Sequence, residues 1–140
     1  MVFPYQKVKP ADSKPTDPWV LLPLLKIRLS HSHETIQLDA LIDSGANVSL
    51  FNVAVAQALG IDTEKGLKQE FFGISGDGIE AYFHTVRLQI VGAKDTIDLA
   101  VGFTHSPGVG ALLGQADFFQ HHRVKFERYK ERIEIKPASK

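Results

Sequence analysis

The sequence predicts an all-β domain, a closed barrel of short strands carrying two short helices. Apolar residues alternate with polar ones at a period of two in several stretches, Leu25, Ile27 and Leu29 being one such set. Glycine-containing turns separate these stretches, and the two segments that read as helices are short. A chain of 140 residues suits one domain with a sizeable hydrophobic core.

Met1 to Pro18 carries Pro4, Pro10, Pro15 and Pro18 among Lys, Asp, Ser and Thr. Proline removes backbone donors and turns its predecessor away from helical angles, so 1–18 is expected to be an extended arm. It is a loose end or an arm packed on a partner subunit, ahead of a domain over 19–140. Leu25, Ile27 and Leu29 then alternate with Lys26, Arg28 and Ser30 in a first strand. His31 to Glu34 is a polar turn. Ile36, Leu38, Ala40 and Ile42 form the apolar face of a second strand, which delivers Asp43 at its end.

Beyond that loop, Asn52 can cap a short helix of alanine-rich sequence that Gly60 stops. Ile61 to Gln69 reads as a connection. Glu70 to Tyr82 places strand residues on both sides of Gly73, Gly76 and Gly78, a hairpin with a glycine-rich tip. Val86, Leu88 and Ile90 mark the next strand face, Gly92 to Asp95 a turn, and Ile97, Leu99 and Val101 the return. Val109 to Gly114 is small and apolar. Gln115 to His122 reads as a second short helix that buries Phe118 or Phe119. Val124 and Phe126 face Ile133 and Ile135 across a charged turn, a closing hairpin.

Composition narrows the function. Sixteen basic and sixteen acidic residues cancel, so no electrostatic case arises for nucleic acid or an acidic membrane as partner. The chain has no cysteine, hence no disulfide, thiol nucleophile or thiolate metal site, which fits a cytoplasmic protein. Trp19 to Leu25 is the most apolar run and is far shorter than the ~20 residues of a spanning helix. His31/His33 and His121/His122 are read as solvated surface histidines, with no metal expected. Gly76 to Ala81 matches a dinucleotide fingerprint in spacing, but Tyr82-Phe83 continues a strand where a helix would have to open.

One stretch carries chemistry: Leu41-Ile42-Asp43-Ser44-Gly45-Ala46-Asn47-Val48-Ser49-Leu50-Phe51. It sets a carboxylate on a tight loop between apolar runs, where a partly desolvated acid needs partners to stay ionised. Alone, Asp-Ser-Gly fills turns in many proteins. Downstream, however, Leu112-Leu113-Gly114 precedes the short aromatic helix Ala116-Asp117-Phe118-Phe119 and the strand Val124-Lys125-Phe126. In that order the chain resembles the retropepsin-like, single-domain aspartic proteases, bacterial type, over roughly Leu24 to Lys136.

The resemblance implies an acid-protease-type barrel with a flap hairpin, active as a homodimer. Asp43 is then the catalytic acid, and Ser44, Gly45 and Ala46 complete its loop. Asn47 and the flap residues Gly73, Ile74, Ser75 and Gly76 hold a polypeptide substrate, and Leu113, Gly114 and Gln115 support the loop. No cofactor is implied. Peptide hydrolysis by carboxylates needs two of them sharing a proton, and this chain has a single Asp-Ser-Gly, so the second must come from a second copy of the chain. Asn47 and Gln115 stand where the family commonly has a charged Asp and Arg. A neutral amide pair between them would replace that ion pair. The alternative is a non-catalytic peptide-binding or assembly module of the same fold.

Overall fold

The computed structural model describes residues 1–72 and 78–139. Its strands are β1 (Val2–Pro4), β2 (Gln6–Val8), β3 (Val20–Leu22), β4 (Leu24–His31), β5 (Glu34–Ile42), β6 (Leu50–Asn52), β7 (Leu67–Phe72), β8 (Gly78–Ile90), β9 (Thr96–Thr104), β10 (Ala111–Leu113), β11 (His122–Glu127) and β12 (Arg132–Pro137). Seven of them form one sheet in the order β4-β5-β10-β6-β9-β8-β7, and an additional β4–β8 pairing closes it into a barrel. The closing register sets Ile27 opposite Ile90 and Leu29 opposite Leu88. All four are buried, so the seam is itself core.

The period-two pattern explains which faces are inside. Leu25, Ile27 and Leu29 are buried, while Lys26 is exposed and pairs across the strand with Asp39. Along β5 burial deepens toward the end, from half-buried Ile36 and Leu38 to fully enclosed Ala40 and Ile42. The strand thus enters the core just before Asp43. Phe51, Phe103 and Phe118 fill the centre, the first two with ring centroids 6.2 Å apart.

The single α-helix among the described residues, α1 (Val53–Ala58), begins as the sequence suggests. Asn52 caps it, its side chain accepting from the Ala54 amide at 3.0 Å, and Gly60 follows its end at φ +70°. The second helix is different in kind. Residues Gln115–Phe119 make one wide turn in which the Phe119 amide reaches the Gly114 carbonyl, five residues back, at 3.1 Å. Such π-turns are rare and are frequently found at functional sites. Phe118 is the buried aromatic and Phe119 is half-buried.

The N-terminal residues are extended, yet they are not a loose end. β1 pairs antiparallel with β12 of its own chain, and β2 pairs with β3. Pro4 sits at the sheet edge, where a missing donor is tolerated. Lys9 lies over the Trp19 ring at 5.3 Å, tying the intervening proline-rich segment at its ends. His122 also departs from expectation. It is half-buried and stacked on Phe118 at 4.3 Å, and is therefore not a solvated surface histidine. His121 is exposed, as read from the sequence.

Candidate active site

The Asp43 loop is held by a strand that runs between its two arms. β10 pairs parallel with β5, Leu113 opposite Ile42, and antiparallel with β6, Leu112 opposite Leu50. The chain that enters the loop and the chain that leaves it therefore lie on either side of β10. The Asp43 amide donates to the Leu113 carbonyl at 3.0 Å, and the Ala46 amide donates to the Asp43 carbonyl at 3.1 Å. Asp43 Oδ1 accepts from the Gly45 amide at 2.9 Å, which fixes the carboxylate toward the loop. Asp43 is half-buried, and Ser44, Gly45 and Asn47 are exposed beside it.

Gly114 and the π-turn clamp the loop from below. The Gln115 amide donates to the Ala46 carbonyl at 2.9 Å and the Ala116 amide to the Asn47 carbonyl at 2.8 Å. The Gln115 side chain donates to the Ser44 carbonyl at 2.8 Å. The amide pair expected between Asn47 and Gln115 is thus not what forms. A carbonyl of the loop itself, that of Ser44, takes the Gln115 amide group. A side chain at Gly114 would run into the Val48 carbonyl, so the supporting glycine is needed for close approach.

Two residues of this support were not singled out by sequence reasoning. Asp117 is buried, and its carboxylate accepts from the Ser49 amide at 3.0 Å, from the Ser49 hydroxyl and from the Phe118 amide. Ser49 Oγ in turn accepts from the Gly114 amide at 3.0 Å. Three hydrogen bonds hold one buried carboxyl group, which anchors the far end of the Asp43 loop to the π-turn. The available signal was an acid set inside the otherwise apolar Ala116-Asp117-Phe118-Phe119.

The hairpin of β7 and β8 packs against the chain that leaves the loop. Its register runs from Leu67 opposite Phe83 to Phe72 opposite Gly78. Gly73, Ile74, Ser75 and Gly76, the expected flap tip, lie outside the described residues. Phe71 and Ile79, one pair short of the tip, and Phe83 at the base pack with Val48, Leu50 and Leu112 in a second apolar cluster. Among the described residues, no group of three His, Asp or Glu side chains is placed to hold a metal ion. Nor is any helix among them long and apolar enough to cross a membrane.

Chemically, the arrangement presents one oriented carboxylate on a braced loop, and the strand leaving that loop shares an apolar cluster with the β7–β8 hairpin. No protein-family model and no curated protein sequence matches this chain. Solved structures do. A retropepsin-like aspartic protease from Rickettsia conorii superposes with a TM-score of 0.58 at 18% identity, covering 80% of this chain and 88% of that one. The EIAV protease complexed with the inhibitor HBY-793 superposes with a TM-score of 0.50 at 20% identity, covering 76% of this chain and 88% of that one. At such identities the likeness is one of fold: this chain has the retropepsin-like, all-β fold.

Proposed function

We propose that this chain is an aspartic endopeptidase that works as a homodimer, with one Asp43 from each subunit forming the catalytic dyad. The observation that carries the reading is the strand β10 threaded between the arms of the Asp43 loop, with the Asp43 and Gly45 amides fixing that residue in place. A single loop supplies one carboxylate, and hydrolysis needs a pair. Across a two-fold axis the second loop brings its own Asp43 against the first. The two acids share a proton because like charges at such range cannot both ionise. One takes a proton from water as that water attacks the peptide carbonyl, and the other donates to the carbonyl oxygen.

The substrate is an extended polypeptide lying between hairpin and loop as an added strand, its side chains in alternate pockets. The apolar cluster of Phe71, Ile79, Leu50 and Leu112 supports apolar side chains at the positions beside the scissile bond. Asn47 holds substrate backbone, and Gly73, Ile74, Ser75 and Gly76 close over it. Between β3 and β4, the Pro23 carbonyl accepts from the Ile42 amide at 3.0 Å.

A second reading has an observation of its own. Asn47 is neutral and Gln115 is occupied by the Ser44 carbonyl, so the loop lacks a charged group for gripping substrate backbone. That suits a non-catalytic peptide-binding or assembly module. Purified protein assayed on a peptide library between about pH 4 and 7 separates the two. Cleavage blocked by a statine-type inhibitor and abolished by Asp43→Asn supports the protease. An intact dimer that cleaves nothing, wild type and variant alike, leaves the binding module.

A further inference from the structure

A cavity of about 350 Å³ opens between the end of the β8–β9 hairpin and the sheet formed by β1, β12 and β11. No residue from 41 to 51 lines it, so it is separate from the Asp43 loop. Its walls are Phe3, Leu88, Ile90, Ile97 and Ile135, contributed by both sheets. Its volume lies at the small end of the roughly 300–1,000 Å³ typical of ligand pockets, which are apolar with a few placed polar groups.

The polar groups here are mostly cationic. Lys94 and Lys136 stand at the cavity, with Asp95 the one acid among the lining residues. Lys136 is shared with Glu134 at 3.3 Å, while Lys94 has no ion-pair partner among the described residues. His122 closes one wall. Its Nδ1 donates to the Phe118 carbonyl at 2.9 Å, and burial pushes its pKa below the usual histidine range, so it adds no charge at neutral pH. An apolar chamber lined also by an exposed lysine with no ion-pair partner among the described residues fits a ligand with an apolar body and one anionic end.

We propose that this cavity binds a small aliphatic carboxylate, an acid of medium chain length, with its chain on the five apolar walls and its carboxylate on Lys94. Long-chain lipids exceed the space, and cationic amphiphiles meet the wrong charge. The site is independent of the protease reading and stands or falls separately from it.

Calorimetric titration of the full chain with decanoate, in parallel with decylamine, tests it. Saturable binding of one decanoate per chain is expected. Lys94→Glu, an exposed change, should weaken it roughly tenfold by replacing attraction with repulsion. Ala93→Leu, which fills the chamber from its wall, should abolish it, and the exposed Lys7→Glu should leave it unchanged. Melting curves establish that each variant is folded. Absence of saturable binding overturns the site, as does binding that survives both Lys94→Glu and Ala93→Leu. Decylamine binding as tightly as decanoate overturns the assignment of an anionic ligand.

Discussion

Gly114 has φ −119°, a backbone angle any residue adopts, so its glycine is required by space alone. A Cβ there meets the Val48 carbonyl and comes within 2.9 Å of the Ala46 oxygen. Backbone cannot step aside as a flexible side chain can. Gly114→Ala is therefore expected to cost about 1–3 kcal/mol and to displace the Asp43 loop; an unchanged melting temperature would contradict the close approach. Asp117→Ala leaves the Ser49 and Phe118 amides without their acceptor in a buried site. We expect a loss of roughly 2–3 kcal/mol by denaturant unfolding, with Asp117→Asn retaining part of it. If Asp117→Ala unfolds at the wild-type midpoint, the anchor is not there. Of these residues, Gly114 was legible beside its apolar neighbours, but Asp117 was not. Its partner Ser49 lies 68 positions away, and nothing local shows that an acid beside Phe118 is buried rather than solvated.

Elements differ in how openly the sequence announces them. The β4–β5 and β11–β12 hairpins could be read from alternation; Val124 does sit opposite Ile135 and Phe126 opposite Ile133, although Phe126 itself is exposed. β1 could not. Three residues ending in proline show no period, and their partner strand lies at the other end of the chain. The β11–β12 hairpin also carries a pH dependence. Arg132 beside Glu127, helped by the Tyr129 hydroxyl and Lys125, holds its carboxyl at about 2 against an ordinary 4.5. A lowered folded-state pKa stabilises above the unfolded value and is lost as pH falls through the folded one. Glu127→Gln should thus melt below wild type at neutral pH, and the gap should close between about pH 4.5 and 2. A gap that stays constant over that range would exclude Glu127 as its source.

At the scale of the molecule, barrel closure joins β4 to β8, which no local pattern specifies. The fold class was still legible, because an all-β chain with buried alternating faces has few ways to cover its edges. On the proposed reading one chain leaves the chemistry incomplete, since one Asp43 loop supplies one carboxylate. The central claim is that catalysis belongs to a pair of chains. It predicts that activity per chain falls on dilution below the dimer dissociation constant, while a one-chain site would keep it. The more direct measurement mixes wild-type and Asp43→Asn chains, dissociates and reassociates them, and follows peptide cleavage against the wild-type fraction. With a dyad, only pairs of wild-type chains cleave, so an equal mixture retains about one quarter of the activity of all-wild-type protein at the same total concentration. About one half, a linear fall, would mean that each chain acts alone and would contradict the shared site.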